Sequence, residues 1–315
     1  MRRVVLLLVP QVHLLDLAGP AQVFSEADDC GHPYTVHFVA DQAEVVSAQG
    51  LPVRAETTWP HLDAADLIVV PGWRSSGASG PGGSWGVSGA GEEVALRPST
   101  LQRLVDHHAR GGMVASVCAG AFALGRAGLL DGRRCTTHHE LQAALARCFP
   151  RAQVIPDVLF VADGRVITSA GIASGIDLAL HLLARWHGPV VAAAVARALV
   201  VYTRRNGQEP QASAMLRHRD HLSDAVHRAQ DILDAQYTQA LPLPELAARV
   251  GVSERTLTRR FTAAAGLTPL RYQQELRLEQ AEHLIGHGLG QDAAARAVGF
   301  TDARMLRRLR RSRGG

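Results

Sequence analysis

Three unbroken apolar runs constrain this chain more than any other feature. Val4–Val9, Leu67–Val70 and Met113–Val117 contain almost no polar residue and do not alternate. A strand with one face in water alternates apolar and polar side chains, whereas an unbroken run needs cover on both faces. Each run stops at turn residues: Pro10, Pro71-Gly72 and Cys118-Ala119-Gly120. Thr35–Ala40 reads as a further strand, and Leu17–Cys30, Leu101–Arg110 and Glu140–Cys148 as helical stretches. Strands that alternate with helices argue for an α/β domain with a mostly parallel sheet. Val154–Ala162 and Val166–Ser169 predict a hairpin around Asp163-Gly164, followed by apolar helices over Ile176–Trp186 and Val190–Val201.

At 315 residues and 47% hydrophobic content, the chain is long enough for two domains and too apolar for disorder. The opening MRRVVLLLVPQ imitates a signal peptide, but the apolar run ends at Pro10 without a small-residue cleavage site. No stretch is long enough to span a membrane. The four cysteines, Cys30, Cys118, Cys135 and Cys148, form no CxxC and no zinc spacing. A reduced, cytoplasmic protein is expected, with no metal and no cofactor. The Gly/Ser-rich segment Trp73–Ser99 reads as a long loop. It is not a phosphate loop, because no Gly-Lys-Ser/Thr follows its glycines.

Composition changes at Thr203–Ala212, TRRNGQEPQA, which reads as a linker. The expected organisation is an α/β domain over 1–188, a helix and linker over 189–220, and a helical domain over 221–315. Formal net charge is +4, and the excess is local. From His221 onward there are 14 arginines and 10 acidic residues, and the chain before it carries 19 of each sign. Six arginines fall between Arg304 and Arg313. Such a run suits a phosphate-contacting surface beside a DNA reader, although alone it is often a solvated tail.

The reader is LPLPELAARVGVSERTLTRRFTAAAG, Leu241–Gly266. Pro242 and Pro244 suit a helix entry, Leu246, Ala247 and Val250 its apolar side, and Gly251 the left-handed turn that ends it. Ser253 is placed to cap a second helix. On that helix Leu257 and Phe261 share one face, and Arg255 and Arg259 share another with Thr258 and Thr262. A packed side opposite an arginine side fits a helix in the major groove, and the bland alternative is a solvated helix. Ser253, Glu254, Arg255, Thr258, Arg259 and Arg260 are the candidate DNA contacts of this unit. After a long helix over Pro269–Ile285, a second pattern follows: Ala293–Val298, Gly299-Phe300, then Asp302 onward. Two such units could reach successive major grooves about 34 Å apart. Arg304, Arg307, Arg308 and Arg311 are its candidate phosphate contacts.

The other chemistry-bearing stretch is VASVCAGAFALG. A buried strand runs into Cys118, and small residues start a helix, which is the pattern of a nucleophile elbow. Backbone amides at the helix start would favour a thiolate. Asp16, after the first strand, and Gly72, after the apolar run Leu67–Val70, arrive at the same carboxyl edge, where α/β sheets bind ligands. Asp16, Gly72, Cys118 and Ala119 are the candidate ligand-binding set. His138 and His139 are candidate bases for Cys118. The bland reading of Cys118 is a small residue at a tight turn.

ELAARVGVSERTLTRRFTAAAGLTPLRYQQELRLEQAEHLI closely resembles the DNA-binding domain of AraC/XylS-family transcription regulators. LLDLAGPAQVF, VVPG, VCAGAFALGRAGLLDGRRCTTHH and TSAGIASGIDLALHLL resemble the ThiJ/PfpI domain, of the class I glutamine amidotransferase-like fold. The two in this order resemble the GlxA-like branch of AraC-type regulators. The resemblance implies a flavodoxin-like parallel sheet sandwiched by helices, then an all-α domain with two helix-turn-helix units. It implies double-stranded promoter DNA as partner, a small-molecule effector at the α/β domain, and a homodimer. In related hydratases and peptidases the elbow cysteine is the nucleophile, at Cys118 here, and the hydratases add an acid that matches Asp16. The peptidases follow the cysteine with His and the hydratases with Thr, where this chain has Ala119. The competing reading is a cysteine-dependent hydrolase or hydratase with an accessory DNA-binding domain. Family members carry an apolar pair four apart on the last helix. Leu306 would pair with Arg310, or Met305 with Leu309, and the family's closing SPxxYR segment is missing before Gly315.

Overall fold

The apolar runs become neighbouring strands in the middle of a six-stranded sheet. The computed structural model describes residues 1–74, 96–171, 173–201, 207, 211, 218–219, 221–286 and 288–313. Most of the loop expected over Trp73–Ser99 and of the linker expected over Thr203–Ala212 lies outside the described residues. Two compact units divide at Gln211 and Ala212.

The first unit begins with β1 (Arg2–Leu7), α1 (Leu14–Asp29), β2 (Tyr34–Val39), β3 (Glu44–Val46), β4 (Pro52–Arg54) and β5 (Leu67–Val70). It continues with α2 (Pro98–Ala109), β6 (Met113–Val117), α3 (Gly120–Arg126), β7 (Arg134–Cys135), a 3-10 turn at His139–Leu141, α4 (Gln142–Cys148) and β8 (Gln153–Val154). It closes with β9 (Phe160–Asp163), β10 (Val166–Ser169), α5 (Ser174–His187) and α6 (Pro189–Ala198). The sheet order is β2-β1-β5-β6-β10-β9. All pairings are parallel except that of β9 with β10. This is the flavodoxin-like order, with its switch point between β1 and β5. Val4 to Leu7 and all of β5 are 0% exposed, so both faces are covered, as the unbroken runs require. Helices α1, α5 and α6 pack together, while α2 and α3 pack together against β5 and β6.

The hairpin is shorter than its sequence suggests. Only Phe160–Asp163 pairs with β10, and Gln153–Val154 pairs with β7 in a separate two-stranded sheet. Pro156 lacks an N–H, and Asp157 has φ 48, so one continuous strand cannot pass through them.

The second unit contains α7 (Asp224–Gln236), α8 (Leu243–Val250), α9 (Glu254–Ala265), α10 (Pro269–Gly286), α11 (Gln291–Ala297) and α12 (Ala303–Arg313). It has two cores. Val226, Leu233, Leu246, Val250, Leu257, Phe261 and Tyr272 form the first. Leu278, Ala281, Ala294, Ala295, Val298, Phe300, Leu306 and Leu309 form the second. Helix α10 supplies Tyr272 and Leu276 to one and Leu278 and Ala281 to the other. Of the two expected registers on the last helix, the pair Met305 and Leu309 packs on the second core, whereas Leu306 has a charged residue, Arg310, four places on. Among the described residues of this helix Ala303, Leu306 and Leu309, three apart, are the buried ones. Met305 is only half-buried, and Arg310 faces Glu282 at 3.4 Å. No described helix is long and apolar enough to cross a membrane.

Phe261 is fully buried and stacks edge-on against Tyr272 with ring centroids 5.6 Å apart. Phe261→Ala is expected to destabilise the second unit by about 3–5 kcal/mol. Chemical denaturation followed by circular dichroism measures this, and a loss under about 1 kcal/mol would show that the core reforms around the gap.

Candidate functional site

The carboxyl ends of β1, β5 and β6 converge on one thiol. Cys118 follows β6 with φ 53, a left-handed conformation that costs a non-glycine residue energy and typifies an elbow. Its side chain is 0% exposed, as is Asp16 on α1. The Gly72 N–H, just beyond β5, donates to Asp16 Oδ2 at 3.1 Å. Gly171 closes the other side: a Cβ there would stand 2.7 Å from Cys118 Cβ and 3.0 Å from its Sγ. A Cβ at Gly72 would collide with the Asp16 carboxyl and reach 2.7 Å from Cys118 Cβ. The backbone can enclose the thiol because these two positions lack side chains.

Burial pushes the Cys118 thiol well above its ordinary range, and the charge of Asp16 pushes it further. The backbone N–H of Ala119 acts the opposite way and is outweighed, and Glu140 adds to the upward shift. The dipole effect expected at the start of α3 therefore loses to desolvation. The His138 ring lies 4.3 Å from that of its sequence neighbour His139. Burial lowers the pKa of His138, and that of His13 falls to about 4, first by burial and then by Arg74. Neither is a ready proton acceptor of ordinary strength. Two cavities of about 470 and about 510 Å³ lie on this unit, and neither is lined by Cys118 or Asp16.

A second set of bonds leads away from the elbow. Thr137 Oγ1 donates to the Cys118 carbonyl at 2.7 Å. The Gln211 side-chain amide donates to the Thr137 carbonyl at 2.9 Å and the Val158 carbonyl at 3.1 Å. The Gln211 N–H reaches Asp157 Oδ1 at 3.0 Å. Thr137, Gly171 and Gln211 were not legible as site residues. Gly171 lies in the quoted TSAGIASG stretch, but a threonine beside an elbow and a glutamine in a polar connector carry no periodic signal.

In the second unit the turn forms as its residues dictate. Gly251 is left-handed at φ 77, and Ser253 Oγ accepts from the Thr256 N–H at 3.3 Å. Leu257 and Phe261 are 0% exposed. Ser253, Glu254, Arg255, Arg259 and Arg260 are exposed, and Thr258 is half-buried. Among the described residues Arg255, Arg259 and Arg260 make no ion pair, whereas Arg228, Arg249, Arg271 and Arg310 each face a carboxylate. On α12 the Asp302 carboxylate accepts from the Arg304 N–H at 2.8 Å and caps the helix. Arg304, Arg307, Arg308 and Arg311 are exposed. Their recorded side-chain bonds are local, from Arg307 to the Ala303 carbonyl and from Arg308 to Met305 Sδ. The fold thus gives each helix-turn-helix a row of exposed guanidinium groups without a carboxylate partner among the described residues.

The sequence matches the DJ-1/PfpI family over residues 2–185 and a helix-turn-helix domain over residues 246–314. It is 30% identical over 285 residues to the HTH-type transcriptional regulator GbdR of Pseudomonas aeruginosa, which covers 89% of this chain and 72% of that one. A match of that length spans both units. Similarity to isonitrile hydratase of Pseudomonas putida is 36% over 181 residues, 56% of this chain and 68% of the relative. Among solved structures, an AraC family transcriptional regulator from Pseudomonas putida superposes with a TM-score of 0.50 and 26% identity, covering 63% of this chain and 100% of that one.

A raised thiol pKa keeps Cys118 protonated at neutral pH, so its alkylation should be slow there and should still be accelerating above pH 9. Peptide-resolved mass spectrometry after iodoacetamide treatment separates it from exposed Cys30. Labelling at pH 7 as fast in the native chain as in urea would contradict the burial argument.

Proposed function

The chain belongs to the DJ-1/PfpI family and carries an AraC-type helix-turn-helix domain behind it, and on that premise we propose that a small molecule at the Cys118 elbow controls how the second unit engages promoter DNA. The protein is a DNA-binding transcription regulator of the HTH type. The observation that carries the DNA reading is the row of unpaired guanidinium groups on α9, opposite the buried Leu257 and Phe261. In this reading Arg255 and Arg259 contact base edges, with Ser253, Glu254, Thr258 and Arg260 beside them. Each bidentate pair to guanine contributes about 1–3 kcal/mol of discrimination. Arg304, Arg307, Arg308 and Arg311 hold phosphates, which positions the protein without specifying sequence. The protein works in the cytoplasm with the DNA it controls, as a homodimer, which analytical ultracentrifugation tests.

Effector control rests on the bonds from Cys118 through Thr137 to Gln211, the last residue of the α/β unit. A ligand that displaces the elbow carbonyl changes how firmly Gln211, at the boundary between the two units, is held. Asp16, Gly72, Cys118 and Ala119 form the ligand-facing set of this reading. The hydratase relative favours an enzyme instead. Against that, a nucleophilic cysteine needs an accessible thiolate, and burial and Asp16 hold this thiol protonated.

Two outcomes are expected on DNA selected from a random pool by the full chain. Arg255→Ala should lose affinity for selected DNA by about tenfold or more while binding random DNA nearly as before. Arg308→Ala should weaken both alike and reduce the salt slope by about one. Equal losses on both DNAs for Arg255→Ala would remove its reading role. For the connector, Cys118→Met crowds the elbow and stands in for occupancy. It should shift DNA affinity in the otherwise unaltered chain and shift it much less alongside Gln211→Ala. The same shift in both backgrounds rules out this route.

A further inference from the structure

The two helix-turn-helix units share one spine, α10, and a single helix could let them swing about it. One side chain opposes this. Arg277 Nε donates to the Tyr237 carbonyl at 2.5 Å, and its two terminal nitrogens donate to the Gln239 carbonyl at 2.7 Å and the Gly299 carbonyl at 2.8 Å. Tyr237 and Gln239 precede α8, the first helix of the first unit, while Gly299 lies in the turn between α11 and α12. One turn earlier on α10, the Gln273 amide donates to the same Tyr237 and Gln239 carbonyls at 3.1 and 2.8 Å. The guanidinium also lies 5.6 Å from the Phe300 ring centroid. The segments it joins touch directly, because a Cβ at Gly299 would run into the Thr238 carbonyl and come within 3.1 Å of Thr238 Cα.

Arg277 is half-buried, unlike the exposed arginines of α9 and α12 that, among the described residues, also lack a carboxylate partner. Arg228, Arg249, Arg271 and Arg310 pair with carboxylates, whereas Arg277 has none among the described residues and is held by carbonyl dipoles. Desolvating a guanidinium without a counter-ion is costly. A planar fork with donors in fixed directions can hold three acceptors from two segments at once, which an ammonium cannot do with the same geometry.

We propose that Arg277 is a positioning residue that fixes the separation of α9 and α12, and thereby the DNA spacing that the two readers accept together. The proposal rests on the reading that both units touch DNA. Two linked contacts act together only if their spacing matches the target, and a loosened link lowers the effective concentration of the second contact.

The test uses the full chain, DNA selected by it, and derivatives with one, two or three base pairs inserted between the two protected segments. The unaltered chain should lose affinity steeply with the first insertion. Arg277→Gln should bind uninserted DNA about ten- to hundredfold more weakly. It should also respond little to insertion and keep its protection of the first segment. Arg277→Lys should fall between the two. If Arg277→Gln alters the circular dichroism spectrum, Arg277→Lys with Gln273→Ala carries the same comparison. An unchanged spacing profile in a folded variant overturns the proposal. A single protected segment with the unaltered chain overturns the two-reader reading, and the role of Arg277 with it.

Discussion

A buried carboxyl group holds the centre of the α/β unit together. Asp16 is fully enclosed, and a polar group in that position is tolerated only where donors meet it. The Gly72 N–H supplies one, which ties the residue after β5 to the helix that follows β1. Cys118, after β6, closes on the same point. Three successive strand ends are therefore drawn together at the place where the order of the sheet reverses. The contact also decides the chemistry available there. The burial that makes the elbow compact, with the charge of Asp16, pushes the thiol's pKa up, against the pull of the Ala119 N–H.

What was legible in the sequence follows from which forces act locally. The unbroken runs Leu67–Val70 and Met113–Val117 announced themselves because burial on both faces leaves no room for polar residues. The turn at Gly251 and the cap at Ser253 were legible because left-handed backbone and unpaired helix N–H groups each demand a short list of residue types. The hairpin arm over Val154–Ala162 was overextended because Val and Leu suit a strand, while the interruption at Pro156 and Asp157 is a backbone event. The last helix was harder still. Its interior is lined at a three-residue step by Ala303, Leu306 and Leu309, and a search for pairs four apart finds Met305 with Leu309 but passes over the rest of that pattern.

The elbow was legible in its parts and not in its balance. Sequence placed Cys118, Asp16 and Gly72 at one edge, because strand ends set position. The protonation of the thiol depends on how completely neighbouring residues exclude water, which no spacing encodes. The arginines show the same division. Helical periodicity separated Arg255 and Arg259 from the core-facing residues, but only the folded unit distinguishes arginines committed to Asp224, Glu245, Glu275 or Glu282 from those left open to a partner.

The acceptors around Arg277 are all main-chain oxygens, and this bears on how such a protein can diverge. Side chains at Tyr237 and Gln239 can be exchanged during descent without removing the atoms that the guanidinium grips. The burden of preservation shifts to the donor itself and to Gly299, where a larger residue would prise the turn from Thr238. Side chains of the connecting segment can thus change, and its surface chemistry with them, while the main-chain grip of Arg277 on both turns stays the same.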